Sequence, residues 1–364
     1  MSKINLAEMF IDEEIKSKIV DVYESGRYIK GEENSLFEKE FADYCKCRNC
    51  TVVNSGTNAL ILGLMALGIG KGDEVIMPSH TFVASANAAL FTGATPIFAE
   101  IQPKNYTIDC ESIEKLITPS TKAIMPVHIY GHPCDMSAIL DLAEDKNLFV
   151  IEDACQAHGA EYNGKKCGSI GDLAAFSFFP SKNMTVAGDG GALTTNDDDL
   201  RIKASAIRDQ GRKDGEKYYH EYQGLNMRLS EIHAAIGRIQ LRHLDKWNTK
   251  RRDNASYFNR RFDAINEIVL PEEETWAHAV YHQYVIRTSK RDALSAFLKE
   301  SGIASGIHYP IPVHLQPAMS EVSRGQELRV TESIAKTILS IPVHQHLKSE
   351  EREYIGDIII DFFN

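Results

Sequence analysis

One lysine of the chain lies between two segments that are unusual surroundings for a surface charge. Lys182 follows the apolar run AAFSFF and precedes the glycine-rich run AGDGGA, while Asp153 ends a second apolar run within LFVIEDA. Such a pair suits pyridoxal phosphate chemistry, because an amine holds the cofactor aldehyde as a Schiff base and a carboxylate keeps the pyridine nitrogen protonated. We therefore predict that Lys182 and Asp153 are catalytic. Asp153 could instead cap a helix after its strand, but the neighbouring lysine motif favours the cofactor role.

A short motif near residue 55 could bind the phosphate of such a cofactor. Ser55, Gly56 and Thr57 follow a strand-like segment and open a helix-like one. The N–H groups at a helix N-terminus bind phosphate, and a glycine lets the backbone approach it closely. The same three residues also form an ordinary helix cap, so the motif alone decides nothing.

Longer segments resemble a known family. EDACQAHGA from Glu152, FSFFPSKNMTVAGDGGA from Phe176, SGTNAL from Ser55 and GLNMRLSEIHAAIG from Gly224 resemble signature segments of the DegT/DnrJ/EryC1/StrS family. Its members are pyridoxal-phosphate-dependent aminotransferases that act mostly on nucleotide-linked keto sugars. The resemblance is collinear from about Ala7 to the C-terminus, and several long ordered matches are more specific than one short motif.

The resemblance implies a set of cofactor contacts. Gln156 is expected beside the O3′ atom of the cofactor, and Phe82 is expected to stack on its ring unless it is a buried helix residue. Asn226 and Arg228 are expected to reach the site of a neighbouring subunit, which makes the site a property of a homodimer; Arg228 could instead anchor the interface or the donor carboxylate. The complete predicted set is Ser55, Gly56, Thr57, Phe82, Asp153, Gln156, Ser177, Lys182, Asn226 and Arg228.

The resemblance also implies where the sugar binds. His308, Tyr309, His314 and Gln316 lie in HYPIPVHLQPA and are expected to line the substrate side of the site. The alternative is a proline-bounded loop without contact to substrate. His158 either lines the cleft or has a structural role.

Strand-like and helix-like runs alternate through the first two thirds of the chain, which predicts a mainly parallel sheet covered by helices. With the resemblance, this indicates an α/β fold of the aspartate-aminotransferase type (fold type I). We predict a large cofactor-binding domain over residues 1–245 and a small α+β domain over 246–364. A single long helical stretch is expected to open at Ser230 and Glu231 and to run to about Arg261, and a turn and strand are expected in GIASGIHYP.

Composition limits the possible partners. The 364 residues carry a formal charge of −11, which argues against binding to nucleic acid. No apolar run is long enough for a membrane span, and the N-terminus does not have the pattern of a secretory signal, so we expect a cytoplasmic enzyme. CKCRNC lacks the second ligand pair of a zinc site, so its cysteines are expected to be reduced thiols and no metal site is predicted. The GDGGA run is expected to provide tight packing below Lys182 rather than a dinucleotide site.

The expected reaction transfers an amino group from L-glutamate to a keto sugar, with a nucleotide-linked sugar favoured. Three alternatives remain at this stage. The substrate could be a non-nucleotide keto sugar or a cyclitol, or the protein could be a pyridoxamine-phosphate-dependent dehydratase, although dehydratases of the family carry histidine where this chain has Lys182. A pyridoxal-phosphate-binding regulatory protein without turnover is the third.

Overall fold

A seven-stranded sheet forms the centre of the larger part of the structure, a computed structural model that describes residues 3–323 and 325–364. The strands are β1 (Asn49–Val53), β2 (Glu74–Pro78), β3 (Thr95–Ala99), β4 (Thr121–Ile124), β5 (Phe149–Asp153), β6 (Glu161–Tyr162), β7 (Lys165–Lys166), β8 (Leu173–Ser177), β9 (Gly191–Thr195), β10 (Ala277–His278), β11 (Tyr284–Arg287) and β12 (Ile338–Ile341). The helices are α1 (Glu13–Glu24), α2 (Glu32–Cys45), α3 (Gly56–Leu67), α4 (Ala84–Thr92), α5 (Cys110–Leu116), α6 (Met136–Lys146), α7 (Asp198–Arg208), α8 (Glu231–Leu241), α9 (Leu244–Phe262), α10 (Arg291–Glu300), α11 (Ser320–Ser323), α12 (Arg329–Ala335) and α13 (Ser349–Phe363). Short 3-10 turns occupy Ile129–Gly131, Val313–Leu315 and Pro317–Met319.

The strand order explains where a site can form. The sheet runs β1-β9-β8-β5-β4-β2-β3, and β9 is antiparallel to both of its neighbours. The β5–β8, β4–β5, β2–β4 and β2–β3 pairs are parallel. The carboxyl ends of β1, β2, β5 and β8 therefore lie at one edge of the sheet, and a ligand site in an open α/β sheet forms at that edge.

The first helix after β1 is packed against this sheet. Most residues of α3, GTNALILGLMAL, are apolar and buried, and it ends at Gly68, whose φ of 78° is a left-handed conformation that suits glycine. Ser55 caps its N-terminus by accepting a hydrogen bond from the amide of Asn58 at 3.1 Å. A Cβ on Gly191 would lie 2.5 Å from the Ser55 carbonyl carbon. Glycine is thus required where β9 passes this cap, which confirms the packing predicted for GDGGA.

A smaller group of elements forms a second hydrophobic core. The antiparallel pair β11–β12 packs with α10, α13 and the C-terminal half of α9. Ile4 also packs in this core, and its backbone pairs with Ile303. The predicted division at residue 245 falls in the first turn of α9 and stays a prediction.

Two expectations about local structure were wrong. The stretch from Ser230 to Arg261 is not one helix, because it breaks at Arg242 and His243 between α8 and α9. The packing partners change at this break: α8 packs on α1 and α2, whereas α9 packs on α13. In GIASGIHYP the expected turn is present at Gly302, but the expected strand is reduced to isolated backbone bridges, such as that from Gly306 to Ser340. Within the described residues, no helix is both long enough and apolar enough to cross a membrane.

Candidate active site

A cavity of about 380 Å³ lies at the carboxyl edge of the large sheet. Nine of the predicted residues line it: Ser55, Gly56, Thr57, Phe82, Asp153, Gln156, Ser177, Lys182 and Tyr309. They come from the last residues of β5 and β8, from the segments that follow β1, β2, β5 and β8, and from a loop next to the small core. Strand order alone therefore brings together residues that are far apart in the sequence.

Lys182 lies on the turn that follows β8. Its amide donates to the Phe179 carbonyl at 2.9 Å, which closes the turn and directs the side chain back over the sheet edge. Burial lowers the pKa of the Lys182 amine, and the nearby Cys155 and Asp153 oppose this shift only in part. A larger fraction of the amine is therefore neutral than in an exposed lysine, and a neutral amine can act as nucleophile and as base.

Asp153 ends β5 and is almost completely buried. Its Oδ2 accepts a hydrogen bond from the Ser85 hydroxyl at 2.7 Å, and its Oδ1 accepts from the Cys155 amide at 3.2 Å. Since the Ser85 proton is given to the carboxylate, the Thr81 hydroxyl at 2.9 Å must donate to Ser85. Two hydroxyls in series thus fix the position of the carboxylate.

Sequence reasoning missed Ser85 and Thr81. They are four residues apart, with Thr81 just before α4 and Ser85 in its first turn, and their hydroxyls are 2.9 Å apart. That spacing within SHTFVASANA was the available signal. Using that signal would also have required knowing that β2 and β5 lie near each other in the sheet.

The N-terminus of α3 can hold a phosphate group. Neither the Gly56 amide nor the Thr57 amide donates to a protein acceptor within the described residues, as is usual for the first turn of a helix. A Cβ on Gly56 would lie 2.6 Å from the Ser177 Cβ and 3.0 Å from the Cys155 sulfur. Glycine therefore allows the helix end to approach β8, and the Ser177 hydroxyl lines the same part of the cavity. Free amides, a buried carboxylate and a buried amine around one cavity fit pyridoxal phosphate.

Gln156 and two aromatic rings line another wall of the cavity. The Gln156 side-chain oxygen accepts from the Tyr130 amide at 2.8 Å, and its nitrogen donates to the Tyr309 hydroxyl at 3.3 Å. The Phe82 and Tyr309 ring centroids are 5.7 Å apart. Phe82 is 54% exposed, so it is not a buried helix residue, and its ring is available to a ligand.

Only one of the four residues predicted to bind the sugar lies at the cavity. Tyr309 lines the cavity, but His308, His314 and Gln316 do not. His314 is buried, and its ring nitrogens face Ser79 at 2.6 Å and Glu332 at 3.3 Å. The structure therefore gives His314 protein partners on both sides, while His308 pairs with Ser340 at 2.8 Å and the Gln316 amide donates to a main-chain carbonyl.

Asn226 and Arg228 do not line the cavity of their own chain. Asn226 is exposed, and Arg228 donates to Asp209 at 2.7 Å. Their role in a neighbouring subunit stays a prediction. His158 is fully buried between the rings of Phe176 and Phe178, outside the cavity lining, which favours its structural interpretation.

One buried group has the composition of a metal site. His128, Glu152 and Cys167 have ligand atoms within 4.8 Å of one another. Both ring nitrogens of His128 are already engaged, one by Glu152 at 3.0 Å and the other by the amide of Cys134 at 3.0 Å.

All seven cysteines are free thiols; Cys45 ends α2 and Cys50 lies in β1, as predicted.

The sheet order, the lysine on its turn and the carboxylate below it define a fold type I enzyme of the pyridoxal phosphate class. Comparison with known proteins gives the family. The chain belongs to the DegT/DnrJ/EryC1/StrS aminotransferase family, whose model matches residues 9–360. This confirms the predicted family and fold.

Similar proteins agree with this assignment. The dTDP-3-amino-3,4,6-trideoxy-alpha-D-glucose transaminase of Streptomyces venezuelae is 44% identical over 347 residues, 95% of this chain and 91% of that one. The crystal structure of S. venezuelae DesV in complex with a ketimine intermediate has a TM-score of 0.97 and 41% identity, covering 100% of this chain and 99% of that one. NtdA from Bacillus subtilis, solved with bound pyridoxamine phosphate, has a TM-score of 0.94 and 31% identity, covering 100% of this chain and 86% of that one.

Proposed function

We propose that the protein transfers an amino group from an amino acid, with L-glutamate favoured, to a nucleotide-linked keto sugar. Family membership makes it a pyridoxal-phosphate-dependent sugar aminotransferase. The observation that carries the assignment is the convergence of Lys182, Asp153 and the free amides of α3 on one cavity. The name of the S. venezuelae relative contains a dTDP-linked sugar with nitrogen at carbon 3, so a dTDP-linked 3-keto sugar is the first substrate to test.

Different residues of the chain have different roles in the reaction. When bound, the cofactor supplies an electron sink for the carbanion that forms on the amino donor. The neutral Lys182 amine removes the proton from the donor carbon and later returns one to the sugar carbon. Asp153, supported by Ser85, supplies the negative charge that keeps the ring nitrogen protonated. The amides of Gly56 and Thr57 would hold the cofactor phosphate in the same cavity as Lys182.

We further propose that the working site belongs to a homodimer. Among the described residues, the charged groups lining the cavity are Lys182, Asp153 and Asp189. The cofactor phosphate and the carboxylates of an amino donor would bring several more negative charges. A second copy could supply hydrogen-bond donors and positive charge for these groups through Asn226 and Arg228, as the family resemblance implies.

Active-site complementation tests this dimer. Lys182→Ala and Asn226→Asp, each inactive or impaired alone, are co-expressed with different affinity tags. A shared site predicts that the mixture regains about a quarter of wild-type activity, since half of the dimers are mixed and each mixed dimer has one intact site. Activity no higher than the sum of the separate variants would contradict a shared site.

Substrate preference tests the reaction. The enzyme is assayed with glutamate and a dTDP-linked 3-keto sugar, the corresponding 4-keto sugar, and the same keto sugar as a 1-phosphate without nucleotide. Amination of a nucleotide-linked sugar alone supports the proposal. Equal amination of the sugar phosphate would favour a non-nucleotide substrate, loss of water without amination would favour a dehydratase, and no turnover with any sugar or cyclitol would favour a regulatory protein.

A further inference from the structure

Tyr130 connects two walls of the active site without lining the cavity. It lies in the 3-10 turn Ile129–Gly131 and is almost completely buried. Its φ of 58° is a left-handed conformation, which is uncommon for a bulky residue and often occurs where function fixes the backbone. Both its amide and its hydroxyl make hydrogen bonds to groups around the site.

The Tyr130 amide determines how the Gln156 side chain is oriented. An N–H can only donate, so the Gln156 atom that lies 2.8 Å from it must be the oxygen. The Gln156 nitrogen is therefore directed to the Tyr309 hydroxyl, at 3.3 Å. Because the Tyr309 oxygen accepts this bond, its own proton is available to a ligand in the cavity.

The Tyr130 hydroxyl holds the other side of the same pair. It donates to the carbonyl of His308, the residue directly before Tyr309. The phenol has one proton, so the His80 Nε2 at 2.6 Å must carry a proton and donate to the phenol oxygen. Burial lowers the pKa of His80 to about 4, which keeps this imidazole neutral at physiological pH.

We propose that Tyr130 is a positioning residue: its amide orients Gln156 and its hydroxyl places Tyr309, so that two hydrogen-bond donors face the cofactor in one fixed arrangement. The proposal deepens the proposed function and rests on it. The alternative is that Tyr130 only fills the core between Val127, Ile129 and Ile338, in which case its hydroxyl would be dispensable for the reaction.

The neighbouring Tyr106 provides a matched control. Its ring lies 5.6 Å from that of Tyr130 in the same buried cluster. Its hydroxyl has no hydrogen-bond partner among the described residues. Tyr106→Phe and Tyr130→Phe therefore remove the same atom from the same core, but only the second breaks a connection to the site.

The experiment compares these variants in three measurements: the thermal unfolding midpoint of the cofactor-free protein, its affinity for pyridoxamine phosphate, and the single-turnover rate of the loaded enzyme with glutamate. We expect Tyr130→Phe to lower the rate about tenfold or more, because misplaced contacting groups are costly in a preorganised site. The affinity should fall in the same variant. Tyr106→Phe should stay within about twofold of wild type in both. His80→Leu, which keeps the phenol and removes its donor, should show a smaller loss, about two- to tenfold.

A double variant separates positioning from a general structural effect. If Tyr130 acts through Tyr309, then Tyr130→Phe should cost little further rate in a Tyr309→Phe background, because residues that act through one another are not additive. Additive losses, or a Tyr130→Phe variant that matches Tyr106→Phe in rate and affinity, would overturn the proposal. If the wild type does not react with glutamate at all, the proposed function fails, while the pyridoxamine phosphate affinities of the single and double variants still decide the role of Tyr130.

Discussion

Replacement of Ser85 by alanine tests the support of the catalytic carboxylate. The Ser85 hydroxyl donates to Asp153 at 2.7 Å, and both residues are buried, so no bulk water can replace the lost donor readily. The change removes one oxygen and leaves the backbone of α4 intact. Thr81, at 2.9 Å from Ser85, loses its acceptor and has no direct bond to Asp153.

The expected size follows from the type of bond. A hydrogen bond to a charged group contributes about 1.5–3 kcal/mol. Negative charge develops on the donor carbon in the transition state for proton removal. If the stabilisation is fully lost in that state, the rate of proton removal falls about 10- to 150-fold, since each 1.36 kcal/mol of barrier is a factor of ten in rate. Affinity for the amino donor should change much less, because the Ser85 hydroxyl is engaged by Asp153 and Thr81 and not free to contact a donor.

Rapid-mixing absorbance of the loaded enzyme with L-glutamate measures this step directly. Ser295→Ala is the control, because it removes one side-chain hydrogen bond, to Ser305 at 3.0 Å, from a partly buried position on α10 that does not line the cavity. We expect Ser295→Ala to react at the wild-type rate. A Ser85→Ala rate within twofold of that control would refute the reasoning that the Ser85 hydrogen bond supports the catalytic carboxylate of Asp153.

Three further predictions concern other parts of the site and its support. Gly56→Ala should weaken cofactor binding by about 1–3 kcal/mol in an equilibrium titration, because its Cβ would lie 2.6 Å from the Ser177 Cβ. Burial lowers the pKa of Lys182, so the folded cofactor-free protein binds fewer protons than the unfolded chain; its free energy of unfolding, relative to Lys182→Met, should rise with pH up to the ordinary lysine pKa of 10.5. Burial works to raise the pKa of Glu152, but hydrogen bonds from His128 and from backbone amides outweigh it and lower the pKa. Glu152→Gln should therefore lower the free energy of unfolding by about 3 kcal/mol in denaturant titration.

These predictions have distinct contradicting outcomes. Unchanged cofactor affinity in Gly56→Ala would mean that the helix end is not a close-packed phosphate site; Gly63→Ala, whose Cβ would meet only leucine side-chain carbons at 3.2 Å and 3.6 Å, is its control. A stability difference between wild type and Lys182→Met that does not vary with pH would mean that the amine is not desolvated. Wild-type stability in Glu152→Gln would mean that the three amide hydrogen bonds to Glu152, from Gly168, Ile170 and Gly171, do not depend on its charge.

Much of the site could be predicted because it depends on strand ends. Lys182, Asp153 and Gly56 each follow an apolar run that was predicted as a strand, and parallel strands bring their carboxyl ends to one edge. The residue types then limited the chemistry. Neither step required knowledge of side-chain packing.

The rest depends on contacts between distant segments. Ser85 is one serine among many until β2 and β5 are known to lie near each other. Tyr309 and His314 were predicted together, but a 3-10 turn at Val313–Leu315 directs His314 into the protein against Ser79. The break between α8 and α9 has no glycine or proline to mark it, because it results from a change of packing partner.

The most direct test of the central claim is the absorbance spectrum of the purified protein before and after addition of L-glutamate, with Lys182→Ala measured in parallel. We expect a visible band in the wild type loaded with pyridoxal phosphate, and its replacement by a near-ultraviolet band when glutamate is added. Lys182→Ala should remain folded and bind pyridoxamine phosphate, but it should not catalyse that change. A wild-type protein with no visible band after addition of pyridoxal phosphate, or a Lys182→Ala variant that reacts like the wild type, would contradict the assignment of Lys182 and with it the proposed reaction.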